Sequence, residues 1–493
     1  MQPSPPNAPE ANTPGRGRAP GALVGVLAFS GIVVALMQTI VIPLIPELPR
    51  MLDATPSDTA WAITATLLAG AVATPVMGRL GDMYGKRRML LISLSLLVAG
   101  SVLGALSDTL VPMIIARTLQ GLAAGVIPLG ISIMRDELPA ERLGSATALM
   151  SASLGVGGAL GLPLAAAVAE RTDWHVLFWG AAGMGVIAAG LVFRLVPESE
   201  VTTGGRFDLL GALGLSAALV CLLLAISKGG DWGWGTPLTL GLLAVAAVVL
   251  ALWALWELRV ARPLVDLRTA TRRQVLLTNI ASAVFGFAMF AMSLVLPQLV
   301  QLPEETGYGL GQSMVMVGLV LGPSGLVMMA MAPVSAHISR TRGPKVTLMT
   351  GAVVVAAGYG MSLGLMSEIW HLVLVSAVIG AGIGLAYGSM PALIMSATPV
   401  SETAAANSLN TLMRAIGTSC ASAVAGVVLA QMTMDFGAGT VPSQDGFRVV
   451  MAIGAGAALV AFAVAAFLPG RPSAASSAPV SADPAPATAA AAR

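Results

Sequence analysis

The sequence predicts an all-α membrane protein with fourteen transmembrane helices, two six-helix halves plus two helices inserted between them. Three observations carry the prediction. The composition is too apolar for a soluble domain, the apolar residues fall into fourteen runs of bilayer length, and the two ends of the chain repeat each other.

The chain has 493 residues, of which 56% are hydrophobic and only 10% charged. Soluble globular domains carry about 25% charged residues, so a surface this apolar has to be covered by lipid. The formal net charge of +2 leaves no electrostatic footprint for nucleic acid. Cys221 and Cys420 stand far apart inside apolar runs, and give neither a disulfide framework nor a metal spacing. Both are expected to be small buried residues. His175, His337 and His371 lie at run ends or in connections. Neither a metal nor another cofactor is expected.

The apolar runs are 21–46, 59–78, 89–106, 110–134, 143–169, 176–196, 207–227, 237–257, 274–300, 312–334, 346–366, 370–393, 403–430 and 448–469. Each is close to the ~20 residues that a spanning helix needs. Helices are required because lipid offers no partner for unpaired backbone groups, and a barrel would show shorter, alternating segments. Residues 1–20 form a Pro-rich disordered arm. The run that follows is too long for a cleavable signal, whose apolar region is about 7–15 residues. Residues 471–493 are a Pro/Ala/Ser tail. The expected units are therefore a six-helix half at 21–200, two inserted helices and a linker at 201–273, and a second half at 274–470.

Orientation follows from Lys and Arg. With the amino terminus in the cytoplasm, only Arg50, Arg171, Lys228 and Arg448 fall outside, and Arg117 and Arg414 lie within the runs. All the others of the 26 basic residues face the cytoplasm. Both termini are expected inside a cell membrane. Trp174, Trp232, Trp234 and Trp370 then cluster at the outer interface as anchors.

The repeat joins the two ends of the chain. Thr74-Pro75-Val76 precedes one basic loop and Ala332-Pro333-Val334 another. Ten residues after each proline comes a glycine, Gly85 or Gly343, followed by basic residues. In this register Asp82 corresponds to Arg340. Gly121 and Gly125 in run 4 match Gly380 and Gly384 in run 12. Two repeated six-helix halves are the layout of a rocking transporter with a site at the midplane.

Gly78-x-Leu80-x-Asp82-x-x-Gly85-Lys86-Arg87-Arg88 resembles the loop signature of the major facilitator superfamily, and Arg117-x-x-Gln120-Gly121 resembles its second motif. Fourteen runs, Phe207-Asp208 opening run 7, and Trp232-Gly233-Trp234 after it look like the fourteen-helix drug:proton antiporter branch. The resemblance covers about residues 21–470. It implies a multidrug exporter working by alternating access, of the kind that confers antibiotic resistance. It also implies that Asp82 ties the loop to the other half and biases the conformational equilibrium.

The residues themselves allow a partial account. Gly78 and Gly85 permit close backbone approach and sharp turns, and Lys86, Arg87 and Arg88 are expected to face anionic lipid heads. Arg117 and Arg414 are charges inside spans, which cost roughly 2.5–3.5 kcal/mol at a helix centre and so face a cavity or a partner. Asn410 and Arg414 share a helix face with Asn407 close by, a candidate cavity lining. Gly161 and Pro163 stand where the antiporter motif would have a Gly-Pro pair, and Ala165-Ala166 where it would have a glycine pair; the small-residue face for close packing survives.

Relatives carry an acid before a Thr-Ile-Val run in segment 1, where this chain has Gln38. None of the 24 acidic residues lies in the middle of a run, so Asp136, at the inner end of run 4, is the proton-coupling candidate. Gln38, Gln120, Phe285, Asn407, Asn410 and Arg414 are the substrate-binding candidates. Two membrane arginines without a midplane acid point to neutral or anionic, mostly apolar substrates. The methionines of runs 9 and 10 supply adaptable surface.

The expected partners are a small hydrophobic substrate, protons and the lipid bilayer. A monomer suffices, because each chain holds both halves of a site. The leading expectation is proton-driven export of hydrophobic drugs or antibiotics. A facilitator or specific metabolite exporter without proton coupling is the alternative, and a non-transporting membrane sensor or scaffold a further one. An enzyme is not expected, since no paired carboxylates, Ser/His/Asp set or metal spacing project from one face.

Overall fold

The computed structural model describes residues 20–469 except 42–43, 45–47, 60, 170, 200–203, 205, 262 and 438. Apart from Pro20, the expected terminal arms lie outside the described residues. The membrane-length helices are α1 Pro20–Thr39, α2 Trp61–Tyr84, α3 Lys86–Ala105, α4 Leu110–Glu137, α5 Ala140–Ala169, α6 His175–Leu195, α7 Leu209–Trp232, α8 Pro237–Glu257, α9 Arg273–Gln301, α10 Met314–Thr341, α11 Pro344–Ser362, α12 Ile369–Ala397, α13 Thr403–Gln431 and α14 Gln444–Ala466. Among the described residues thirteen are long and apolar enough to cross a membrane; α11, with 19 residues, is the short fourteenth.

Two local features depart from expectation. α1 ends at Thr39 rather than near residue 46; the sequence has Pro43 four residues on, which has no N–H to give to the Thr39 carbonyl. α4 tightens to a 3-10 turn at Leu122–Gly125. A small antiparallel hairpin, β1 Thr433–Phe436 and β2 Gly439–Pro442, sits between α13 and α14. Cys221 and Cys420 are half-buried rather than buried.

Two apolar cores follow the repeat. Leu27, Leu90, Leu94, Leu129 and Phe178 centre one core among α1–α6. Phe285, Val320, Leu348, Ile379 and Phe447 centre the other among α9–α14. The same glycines perform the same task in each. A Cβ on Gly121 would come within 2.4 Å of the Thr66 carbonyl oxygen, and one on Gly380 within 2.3 Å of that of Ser324. Backbone-to-backbone approach therefore packs α4 on α2 and α12 on α10, as small residues do where lipid removes the hydrophobic drive.

The halves meet along two seams. In one, α2 lies against α13. In the other, α5 runs antiparallel to α10, with Gly144 near Ala336, Gly155 against Met328, and Pro163 against Gly318. The inserted helix α7 lies over the first seam only, where Leu215, Leu219 and Leu223 join Ala71 of α2 and Leu412 of α13. α8 packs on α7 through Trp253 and Gly214. It buries only 11% of its span, which leaves Leu238, Val248, Leu252 and Leu255 to face lipid.

Candidate functional site

Both chain ends, Pro20 of α1 and Ala466 of α14, lie at one end of the bundle together with the basic loops; it is called here the basic end. The α2–α3 loop turns at Gly85, whose φ of +109° is open to glycine and strained for other residues. This turn places Asp82, in the last turn of α2, against the start of α13. Its two carboxylate oxygens accept from the backbone N–H groups of Ala404 (3.2 Å) and Ala405 (2.9 Å). A helix N-terminus has unpaired donors and a partial positive charge, so an acid from one half caps a helix of the other. Gly78 makes the approach possible, since a Cβ there would come within 2.1 Å of Ser408 Oγ.

Lys86 is fully buried, not turned to lipid headgroups. Its Nζ lies 2.6 Å from Asp136 Oδ2 and 3.9 Å from Asp82 Oδ1. Ser199 donates to the same Asp136 oxygen. Asp136 thus sits in a buried ion pair at the basic end of α4. Its neighbour Arg135 reaches across to the other half, donating to the Met395 (3.0 Å) and Thr398 (3.1 Å) carbonyls and to Thr403 Oγ1. A base at the C-terminus of α12 and an acid at the N-terminus of α13 match both helix dipoles. Together they grip the α12–α13 turn from two sides.

Arg87 works within its own half. Its side chain donates to the Phe193 carbonyl and stacks on the Phe193 ring at 5.2 Å, capping the end of α6. Its backbone N–H donates to Glu198 (3.1 Å). The repeat reproduces this. Gly343 has φ +97°, and two residues later Lys345 donates to the Ala466 and Leu468 carbonyls, both at 2.7 Å, at the end of α14.

The acid is not reproduced. Arg340 stands in the repeat position of Asp82, and it lines a 620 Å³ groove with Arg135, Ala140, Glu141, Ala336 and His337.

Toward the opposite end, Arg117 is 1% exposed. It donates to Met37 O (2.8 Å), Ala62 O (3.4 Å) and Gln120 Oε1 (2.6 Å), and Gln120 in turn donates to Ser101 Oγ (3.0 Å). Arg117 therefore ties the end of α1 to the start of α2. Both ends of the Gln120 carboxamide are engaged in this network. In the repeat Ser376 donates to Val320 O at 2.6 Å, the counterpart of the Arg117–Ala62 bond. Gln38 is exposed near the end of α1.

A third group lies between α9, α12 and α13. Asn410 donates to Asn279 Oδ1 (3.0 Å) and accepts from Ser282, while Asn407 turns back to Thr403 O. Arg414 stacks on the Tyr387 ring at 4.6 Å, and Phe285 meets the same ring edge-on at 6.5 Å. Gly286 and Gly417 set this geometry, because a Cβ on either would strike the backbone of Arg414 or Ala283. Gly161 packs on Thr39 of α1 and Pro163 on Gly318 of α10. Sequence reasoning missed Arg135, Asn279 and Tyr387. The available signal was that each is a polar or amphipathic residue inside or at the end of an apolar run.

The comparisons agree with this architecture. The family described as Major Facilitator Superfamily matches residues 27–422. An uncharacterized transporter of this type from Mycobacterium tuberculosis is 30% identical over 82% of the chain, and the match spans 58% of that relative's length. The tetracenomycin C resistance and export protein of Streptomyces glaucescens is 28% identical, with 86% of this chain and 79% of that one covered. Multidrug resistance protein 3 of Bacillus subtilis is 25% identical, with 75% and 72% covered. Among solved structures, the human organic anion transporter MFSD10 superposes with a TM-score of 0.64 at 15% identity, over 91% of this chain and all of that one.

Proposed function

The chain belongs to the major facilitator superfamily and is a multi-pass membrane transporter, and from that premise we propose that it exports hydrophobic small molecules, drugs or antibiotics among them, by alternating access coupled to proton entry. The observation that carries this reading is the Asp82 carboxylate on the N-terminus of α13. It is a bond between halves that has to break when the basic end opens. The names of the resistance and export proteins among the relatives support the substrate class.

In this reading the basic end faces the cytoplasm of a cell membrane, as the Lys and Arg bias favours. The structure then has its cytoplasmic side closed. Asp136 is the proposed proton-coupling carboxylate. Protonation there would free Lys86 to pair with Asp82 alone and weaken the hold of Asp82 on α13. Gln38, Phe285, Asn407, Asn410 and Arg414 are the proposed substrate contacts, and one chain is proposed to work as a monomer.

Expression in a drug-susceptible host should lower accumulation of apolar drugs, and a protonophore should abolish the effect. Unchanged accumulation across a broad panel would sink the reading. One observation favours an uncoupled facilitator or specific exporter instead: every acidic residue lies at a helix end, in a connection or in a terminus. A pH-sensitive dye inside proteoliposomes separates the two, because substrate-dependent proton movement excludes the uncoupled mechanism.

A further inference from the structure

Three side chains from three helices meet at one depth. Arg414 is eleven residues into α13 from its basic end, Tyr387 ten residues into α12 and Phe285 twelve residues into α9. At 1.5 Å per residue these are about 15–18 Å from the basic end, near the middle of a ~30 Å hydrocarbon core.

Arg414 is 8% exposed, and buried charges are normally paired. Its contacts are the Tyr387 ring and Thr411 Oγ1 at 3.4 Å. The Tyr387 hydroxyl, in a side chain 1% exposed, is the polar neighbour of the guanidinium and keeps its own proton to donate. Among the described residues no acid lies in the middle of a membrane-length helix. Arg117 makes the contrast, with three protein oxygens around its guanidinium. Arg414 keeps a forked set of donors and an unmatched charge, beside two aromatic rings.

We propose that Arg414 and Tyr387 recognise the acidic group of an amphipathic organic anion, such as an aryl carboxylate, whose apolar body packs toward Phe285. This rests on the exporter reading and names the charge of its cargo. A carboxylate can take two parallel bonds from the guanidinium fork and a third from the Tyr387 hydroxyl. An organic cation meets an uncompensated like charge at the same place.

The test uses the full-length protein in proteoliposomes with three matched probes: 9-anthracenecarboxylate, its methyl ester and 9-(aminomethyl)anthracene. The wild type should move the acid at least tenfold faster than the amine. Arg414→Gln should lower the acid-to-ester transport ratio at least tenfold, Arg414→Lys should keep part of the acid preference, and Tyr387→Phe should lower the acid-to-ester ratio severalfold. Thermal unfolding reports whether each variant folds; if Arg414→Gln does not, the Tyr387→Phe ratio decides. An unchanged acid-to-ester ratio in the variants, or a wild type that moves amine or ester but not acid, overturns the inference and leaves the exporter reading standing. A wild type that moves none of these probes and no drug of a broad panel removes both.

Discussion

The two seams between the halves are built from the same repeat and closed in different ways. At the basic end of the α2–α13 seam, Asp82 and Arg135 hold the α12–α13 turn by its two helix ends, Gly78 lets the backbones touch, and α7 lies over the join. At the basic end of the α5–α10 seam, Arg340 replaces the acid and lines a 620 Å³ groove with Arg135, Glu141 and His337. Glycine turns and basic caps are shared by both loops. The acid is not. The repeat supplies a common scaffold, and Asp82 is what distinguishes the first loop from the second.

Substitutions can break or sharpen this contrast. The largest effect is expected from Asp82→Asn. It removes the charge from two charge-assisted bonds, each worth about 1.5–3 kcal/mol, and leaves Lys86 with Asp136. Transport should fall at least tenfold, and a cysteine placed on the inner part of α13 should label faster from the basic side. Normal transport by this variant would end the latch interpretation.

Gly78→Ala comes next, because its Cβ would press on Ser408 Oγ and on the Ala404 carbonyl at 2.9 Å. A loss of about 1–3 kcal/mol is expected for such overpacking, read as a lower midpoint of thermal unfolding and slower transport. Gly85→Ala and Gly343→Ala should each cost about 1–2 kcal/mol from the left-handed backbone alone. At Gly85 a Cβ would also meet Glu198 Oε1 at 2.7 Å, so its cost should exceed this backbone term; a cost no larger than the backbone term would show that this contact is soft. The smallest effect belongs to Gly144→Ala in the open seam. Its nearest neighbour would be Ala336 Cβ at 3.9 Å, and helix propensity favours alanine by about 0.5–1 kcal/mol. Stability and transport should be unchanged or slightly improved; a defect as large as that of Gly78→Ala would erase the distinction between the seams.

Much of this was legible in the sequence. Helix number, the repeat and the insertion follow from run length and matched Pro-Gly spacings, which lipid enforces strictly. The importance of Asp82 could be inferred from the family resemblance and from its mismatch with Arg340. The direction in which a polar side chain points was harder to read. Gln120 reads from the sequence as a possible substrate contact, and only the fold reveals that Ser101 of α3 and Arg117 engage its carboxamide. Lys86 reads as one of three surface bases, and only the fold reveals that Asp136 and Asp82 enclose it. Tyr387 and Asn279 gain their roles from helices far away in sequence, and such pairings leave no local period. Run 1 reads longer than α1, which ends at Thr39, because hydropathy does not register that a proline at position 43 has no N–H for the Thr39 carbonyl.

The caps made by Arg87 and Lys345 have a kinetic consequence. Each fastens the helix that starts after its loop to the last helix of the same half. A disturbance at either loop therefore spreads through its own half before it crosses to the other. Under the proposed rocking, each half would move with its loop and its last helix as one piece, and the bonds at the α12–α13 turn are among those that would have to break.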